Sequence, residues 1–144
     1  MIVDTSALIA ILIGEQGANA LLDALESEPA VLPAPARVEF LRVASGSRMQ
    51  LAIQAEQLLA EWEDGGLTTV PFDARHAEIA SQANARYGSG NGQGGPLNLL
   101  DLMVYAVARE RGEPLLCTGK DFAATDLTLH AASRLWTGVQ KGPR

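Results

Sequence analysis

Short apolar runs alternate with stretches of helical spacing along most of the chain. The apolar runs predict strands at residues 1–3, 30–32, 67–72, 115–117 and 127–129. Between them, apolar residues recur every three or four positions, which indicates helices with one buried face. The helical stretches begin after residue 4, cover 18–26, begin near 35, cover 49–63, begin after 73 and cover 98–111. This alternation predicts an α/β fold with a mainly parallel sheet of four to five short strands.

No internal repeat and no linker divides the pattern. We therefore expect a single domain over residues 1–140, followed by a short C-terminal tail at 141–144. Residues 88–95 (GSGNGQGG) are rich in glycine and predict a mobile connection between two helices. They do not form a phosphate-binding P-loop, because no Gly-Lys-Ser/Thr follows them.

The ends of two predicted helices carry local signals. Thr5 or Ser6 is expected to cap the first helix, since a hydroxyl can accept a hydrogen bond from a free backbone N–H. Pro35 suits the start of a later helix, because its fixed φ fits the first turn. That helix is expected to carry Val38 on its apolar face and Glu39 in its first turn.

Composition places the chain among ordered, globular proteins. Of its 144 residues, 47% are hydrophobic and 19% are charged, which is enough apolar material to bury a core. Cys117 is the only cysteine, so an internal disulfide and a cysteine-rich zinc site are excluded. The apolar stretch at residues 7–13 is far shorter than a membrane helix needs. We expect a cytoplasmic protein without a membrane segment.

The formal net charge is −6, which argues against a protein that binds nucleic acid through a basic surface. The same charge is compatible with a nuclease that engages phosphate through a bound cation. Part of the negative excess then belongs to the cation site itself.

Acidic residues stand where the sheet is expected to end. Asp4 follows the first strand, and Asp121 follows the strand at 115–117 by a short turn. In an open parallel sheet, ligands bind beyond the carboxyl ends of the strands. Asp101 and Glu39 are predicted near helix starts, which lie at the same edge.

Carboxylates that share a site repel one another unless a cation binds or a proton is shared. Oxygen ligands of this kind suit Mg²⁺ or Mn²⁺, and such ions assist phosphodiester hydrolysis. His76 and His130 lie far apart without ligand spacing. Local context alone does not show which acids form the cation site, because each Asp also suits a helix cap. Asp73 and Asp126 occur in local contexts much like those of the candidate acids.

Four sequence blocks nevertheless resemble a known family in order and spacing. The first block is MIVDTSA at 1–7, and the second is Val-Glu at 38–39. The third consists of YGSG at 87–90, LNLLD at 97–101 and YAVA at 105–108. The fourth is PLLCTGKDF at 114–122, followed by Thr-Asp at 125–126. These blocks resemble the PIN-domain family, and within it the VapC-type toxins of bacterial toxin–antitoxin systems. The loop at 91–95 departs from the family pattern because it carries no charge.

The resemblance implies a three-layer sandwich with a central parallel sheet and a Mg²⁺-dependent endoribonuclease (Mn²⁺ is also suitable). It assigns catalytic roles to Asp4, Glu39, Asp101 and Asp121, with the first, third and fourth as metal ligands. Supporting roles fall to Ser6, Thr118 and Asp126, and Arg37 and Lys120 are candidates for RNA contacts. The implied partners are RNA, a small antitoxin that presents an arginine to the carboxylates, and a second copy of the chain through a surface within 36–62.

Two other functions stay open at this point. A strand-end Asp4 also suits a phosphoryl-transfer enzyme with an aspartate nucleophile, although Ser6 stands where such enzymes carry a second acid. A catalytically inactive binding protein of the same fold is the second alternative, and the presence of all four acids counts against it.

Overall fold

Four short strands form a fully parallel sheet in the computed structural model, which describes residues 1–133. The strands are β1 (Ile2–Val3), β2 (Val31–Pro33), β3 (Thr68–Val70) and β4 (Leu115–Leu116). Their spatial order is β3-β2-β1-β4, so β1 lies between β2 and β4. Ile2 pairs with Val31 on one side and with Leu115 on the other. The predicted α/β class and parallel sheet are confirmed.

Pairs of helices connect the strands, as parallel pairing requires. The helices are α1 (Thr5–Leu12), α2 (Ala18–Ser27), α3 (Ala34–Ser45), α4 (Ala52–Asp64), α5 (Ala74–Tyr87) and α6 (Leu99–Arg111). A short 3₁₀ turn (Phe122–Ala124) follows β4. Helix α3 contacts α1, α4 and α6, and α5 packs on α6.

Strands β1 and β4 are entirely buried. Ile2, Val3, Leu115 and Leu116 expose none of their surface, which explains why these strands are apolar at every position. The predicted last strand at 127–129 is reduced to a single parallel bridge between Leu115 and Leu129. The predicted tail at 141–144 lies outside the described residues.

Helix α3 corrects two expectations. Its buried face is formed by Ala36, Phe40 and Ala44, whereas Val38 is 67% exposed, so the predicted apolar face was wrong at Val38. Glu39 is the sixth residue of the helix and lies in its second turn instead of its first. The reason is that the helix already begins at position 34, with the proline inside its first turn.

The first helix is capped by Asp4, not by Thr5 or Ser6 as predicted. Asp4 has extended backbone geometry, and its carboxylate accepts a hydrogen bond from the backbone N–H of Ser6. The buried Thr5 hydroxyl instead donates to the Ala36 carbonyl on α3. The strand-end acid is therefore also a structural cap.

The glycine-rich connection at 88–95 is closed at its base by hydrogen bonds. Leu97 N–H donates to the Tyr87 carbonyl, and Ser89 N–H donates to the Leu97 carbonyl. Gly95 packs so closely on the backbone at Tyr87 and Gly88 that a Cβ atom has no room there. This loop thus brings the end of α5 next to the start of α6. No helix among residues 1–133 has the length and apolar character needed to cross a membrane.

Candidate active site

The carboxyl ends of β1 and β4 form a crevice at which the chain order reverses. From β1 the sheet continues through β2 and β3 on one side, while β4 lies on the other side. Such a reversal leaves a crevice in which α/β proteins bind their ligands. Asp4 follows β1 directly, and the segment from Thr118 to Asp121 follows β4.

Asp4 is held firmly at this crevice. Its Oδ2 accepts hydrogen bonds from the Ser6 backbone N–H at 3.0 Å and from the Ser6 hydroxyl at 2.6 Å. Only 5% of the residue is exposed. Burial raises the pKa of Asp4, the Ser6 hydrogen bonds oppose this rise, and the negative charge of Glu39 adds to it.

Ser6 connects the two strand ends. Its Oγ donates to Asp4 and accepts a hydrogen bond from the Thr118 backbone N–H at 3.0 Å. The two predicted supporting residues are thus joined, and Thr118 takes part through its backbone. One hydroxyl therefore fixes both the Asp4 carboxylate and the segment that leads to Asp121.

Asp101 occupies the third position of α6, as the sequence predicted. It forms a capping box with Asn98. The Asn98 side chain accepts from the Asp101 N–H at 2.8 Å, and Asp101 Oδ2 accepts from the Asn98 N–H at 3.1 Å. These reciprocal bonds fix the carboxyl orientation at the start of the helix.

The four predicted acids lie within electrostatic reach of one another. Partial burial raises the pKa of Asp101 to about 6, against the opposing hydrogen bond from Asn98, and the charges of Asp4, Asp121 and Glu39 raise it further. Glu39 is half-buried on α3. Asp121 is exposed before the 3₁₀ turn, and its side chain makes no capping hydrogen bond.

Asp126, the fifth predicted acid, has different partners. Its Oδ1 accepts a hydrogen bond from the Tyr105 hydroxyl at 2.7 Å, and its Oδ2 lies 3.6 Å from Arg109 Nε. Burial raises the pKa of Tyr105 to about 12, and the hydrogen bond and charge of Asp126 add to the rise. Tyr105 lies four residues after Asp101 and so shares a face of α6 with it.

The two predicted RNA-contacting cations differ in their surroundings. Arg37 is half-buried and lies 3.6 Å from the Glu63 carboxylate, so its charge is partly compensated. Lys120 is exposed directly before Asp121. Within residues 1–133 Lys120 forms no ion pair, so its charge is available next to Asp121.

The remaining candidate groups serve the fold. Burial raises the pKa of Cys117 to about 12, so its thiol stays protonated and inert. Asp73 caps α5 in a capping box with His76, whose other ring nitrogen lies 3.1 Å from Glu110. His130 lies 2.8 Å from Glu28.

The cluster suits a hard divalent cation by its chemistry. All four groups are carboxylates, which are ligands that hard divalent cations prefer. Burial is the main cause of the raised pKa of Asp4 and Asp101, and the neighbouring negative charges, which a cation would compensate, add to it. Within residues 1–133, no group of three or more His, Cys, Asp or Glu side chains is gathered closely enough to hold a metal by itself. Mg²⁺ needs no such group, because it retains several waters and binds through one or two carboxylates.

Comparisons with known proteins agree with this geometry. The family model described as PIN domain matches residues 1–127. Ribonuclease VapC42 of Mycobacterium tuberculosis is 42% identical over 129 residues, which cover 88% of this chain and 96% of that protein.

Two solved structures share the fold. The crystal structure of VapC20 of Mycobacterium tuberculosis, a toxin that cleaves the sarcin–ricin loop, matches with a TM-score of 0.70 at 18% identity, over 88% of this chain and 95% of that one. A toxin–antitoxin complex from Klebsiella pneumoniae matches with a TM-score of 0.65 at 18% identity, over 90% of this chain and 95% of that one.

Carboxylates at the reversal of strand order in a parallel α/β sheet suit an enzyme that hydrolyses phosphodiesters with the help of a metal ion. The chain belongs to the PIN domain family. Within this nuclease family it groups with the VapC ribonuclease toxins, so the predicted family, fold and enzyme class are confirmed. PIN-domain ribonucleases are in general metal-dependent.

Proposed function

We propose that this chain is a Mg²⁺-dependent endoribonuclease that acts as the toxin of a toxin–antitoxin pair. The observation that carries the proposal is that Asp4, Glu39 and Asp121 all lie near enough to Asp101 for their charges to add to the rise in its pKa that burial causes. The PIN domain match and the VapC ribonuclease relatives support RNA as the substrate.

In this proposal, Asp4, Asp101 and Asp121 would hold the cation, one or two of them directly and the remainder through bound water. The bound ion supplies Lewis-acid activation of water and neutralises charge on the scissile phosphate. Ser6 donates two hydrogen bonds to Asp4 Oδ2, which orient the carboxylate and oppose the rise in its pKa that burial causes. Asn98 orients Asp101 through the capping box.

Glu39 and Lys120 complete the proposed machinery. The Glu39 carboxylate accepts a hydrogen bond from the attacking water and so orients it. Lys120, exposed beside Asp121, contacts a backbone phosphate of the RNA, and Arg37 contributes a second, weaker contact because Glu63 competes for it. Asp126 acts outside the cluster, through Tyr105.

The proposed partners follow from the same charges. A small antitoxin inserts an arginine among the carboxylates, where a charge-assisted, bidentate pair forms. The toxin–antitoxin complex from Klebsiella pneumoniae, which shares the fold, supports such a partner. We further propose that the PIN-like unit extends over residues 1–140, that two copies associate, and that the enzyme works in the cytoplasm, where its RNA substrate is found.

The direct test is RNA cleavage by the purified protein after removal of any bound partner. Structured RNA is expected to be cut in Mg²⁺ and left intact in EDTA. Asp4→Asn is expected to lower the cleavage rate at least about 10²-fold while the fold survives, because Asn also caps a helix.

The matched control is Asp23→Asn, which removes the same charge from an exposed position on α2. This variant is expected to cleave like the wild type. Absence of cleavage by the partner-free wild type in Mg²⁺ contradicts the proposal, as does full activity of Asp4→Asn. Mapping of the cut ends identifies the RNA target.

A further inference from the structure

The segment at residues 118–126, here called the Asp121 loop, is tied to its surroundings at both ends. At its start, the Thr118 N–H donates to Ser6 Oγ, which in turn donates to Asp4. At its end, the Asp126 carboxylate accepts the Tyr105 hydroxyl at 2.7 Å. The first tie leads to the element that carries Asp4, and the second leads to the helix that carries Asp101.

The interior of the loop transmits these ties to Asp121. The Thr125 hydroxyl donates to the Phe122 carbonyl at 2.6 Å, and the Leu127 N–H donates to Thr125 Oγ1 at 3.2 Å. Phe122 is 3% exposed, so the 3₁₀ turn is anchored in the core. The Asp121 side chain itself makes no capping hydrogen bond. Its location therefore depends on the backbone of the loop.

Tyr105 is well placed to control that backbone. It is 4% exposed, and its ring packs on Tyr87 with centroids 5.5 Å apart. It lies four residues after Asp101, so both side chains are on one face of α6. The second partner of Asp126, Arg109, is 60% exposed and lies 3.6 Å away, which makes it a weak, screened contact. The Tyr105 hydroxyl, at 2.7 Å from Asp126 Oδ1, is therefore the principal tie.

We propose that the Tyr105–Asp126 hydrogen bond is a positioning device, which locks the Asp121 loop to α6 and thereby sets Asp121 opposite Asp101. Tyr105 is thus a positioning residue and touches neither the RNA nor the cation. This inference rests on the proposed function for its effect on cleavage. The immobilisation of the Asp121 loop does not depend on the proposed function and can be measured without an activity assay.

The test compares Tyr105→Phe with Tyr87→Phe. Both variants lose one hydroxyl from the same pair of stacked rings, and only the first loses the bond to Asp126. Hydrogen–deuterium exchange in metal-free protein is expected to accelerate at residues 118–127 in Tyr105→Phe and to stay unchanged at residues 74–87. Tyr87→Phe is expected to match the wild type in both segments. Unchanged exchange at 118–127 in Tyr105→Phe overturns the proposal.

Cleavage kinetics provide the second measurement. Tyr105→Phe is expected to lower kcat about tenfold and to raise the Mg²⁺ concentration for half-maximal activity, since loss of a residue that orients a ligand has effects of this size. The KM for RNA is expected to stay unchanged. Asp126→Ala is expected to have the same effect as Tyr105→Phe, and the double variant no larger effect than either single one.

Two outcomes separate this inference from the proposed function. If the wild type cleaves RNA and Tyr105→Phe cleaves equally well, the positioning role is overturned while the ribonuclease function stands. If the wild type fails to cleave, the proposed function falls, and the exchange measurement still decides whether the hydrogen bond immobilises the loop.

Discussion

Asp101 shows how one side chain combines a structural and a chemical role. Its hydrogen bonds with Asn98 start α6, while its charge adds to a crowded cluster. Its pKa of about 6 in the folded protein lies above its ordinary value of 3.8. The folded state therefore binds more protons than the unfolded state between these values, so this group makes stability fall as pH rises from about 4 to about 6.

Replacing the Asp101 carboxylate with a neutral amide is expected to stabilise the metal-free protein and to abolish its activity. Asp101→Asn keeps an oxygen to accept from the Asn98 N–H and removes the repulsion. In EDTA at pH 7.5 its free energy of unfolding should exceed that of the wild type by about 1 kcal/mol, which allows for solvent screening of a partly exposed group. Cleavage should be lost.

Urea denaturation at a series of pH values checks this expectation. The stability gain should shrink as pH falls and disappear near pH 4. Asp23→Asn, which removes an exposed carboxylate on α2, is the control and should change the stability little, because exposed surface charges contribute little. A variant at position 101 that is less stable than the wild type at pH 7.5 contradicts the assignment of repulsion to Asp101.

At the scale of elements, two helices begin with the same device but serve different ends. Asp73 and His76 form a capping box at the start of α5, and Asn98 and Asp101 form one at the start of α6. Only the second box contains a member of the acid cluster. The first therefore provides a matched control for the second.

Loss of either cap is expected to cost about 1 kcal/mol of stability. Asn98→Ala should in addition lower the cleavage rate several-fold and weaken Mg²⁺ binding, because the first turn of α6 then holds Asp101 less firmly. Asp73→Ala should leave both unchanged. Thermal unfolding and titration calorimetry with Mg²⁺ distinguish the two effects. Equal activity of the two variants contradicts an orienting role for the α6 cap.

The sequence predicted the buried faces and the caps of individual helices least reliably. The helical stretches and four of the five predicted strands were placed correctly, whereas the predicted strand at 127–129 is only a single bridge. The apolar face of α3 was assigned wrongly at Val38. Asp4, rather than Thr5 or Ser6, caps α1. The two errors in the helices have one cause. Helix register and cap geometry depend on where the preceding strand ends, and that end is fixed by pairing with distant strands.

For the whole molecule, apolar side chains left on the surface are compatible with the proposed association of two copies. Val38, Val43 and Ile53 are 67%, 37% and 69% exposed, and all three fall within the predicted interface at residues 36–62. Isolated exposed apolar residues are ordinary, whereas several on neighbouring helices suit a protein interface. Contacts between α3 and α4 place these residues on adjoining elements.

A charge introduced at this surface is expected to dissociate the proposed homodimer. Ile53→Glu should sediment as a monomer under conditions in which the wild type sediments as a dimer. Ile13→Glu is the matched control, because Ile13 is 44% exposed but lies outside residues 36–62. A wild type that is monomeric at all concentrations contradicts the dimer. Dissociation by Ile13→Glu alone moves the interface elsewhere.

The sequence by itself determined the α/β class, the alternation of strands and helices, and the family, because apolar period and short motifs are local properties of the chain. It also placed Asp4, Asp101 and Asp121 beside strand ends or helix starts. Only the tertiary structure decided which acids meet. Asp73 and Asp126 resemble the others locally, yet Asp73 caps α5 and Asp126 accepts from Tyr105. The strand order determines which residues share the site, because it places β4 beside β1. Ser6 and Thr118, which are more than a hundred positions apart in the sequence, are thereby joined by a hydrogen bond.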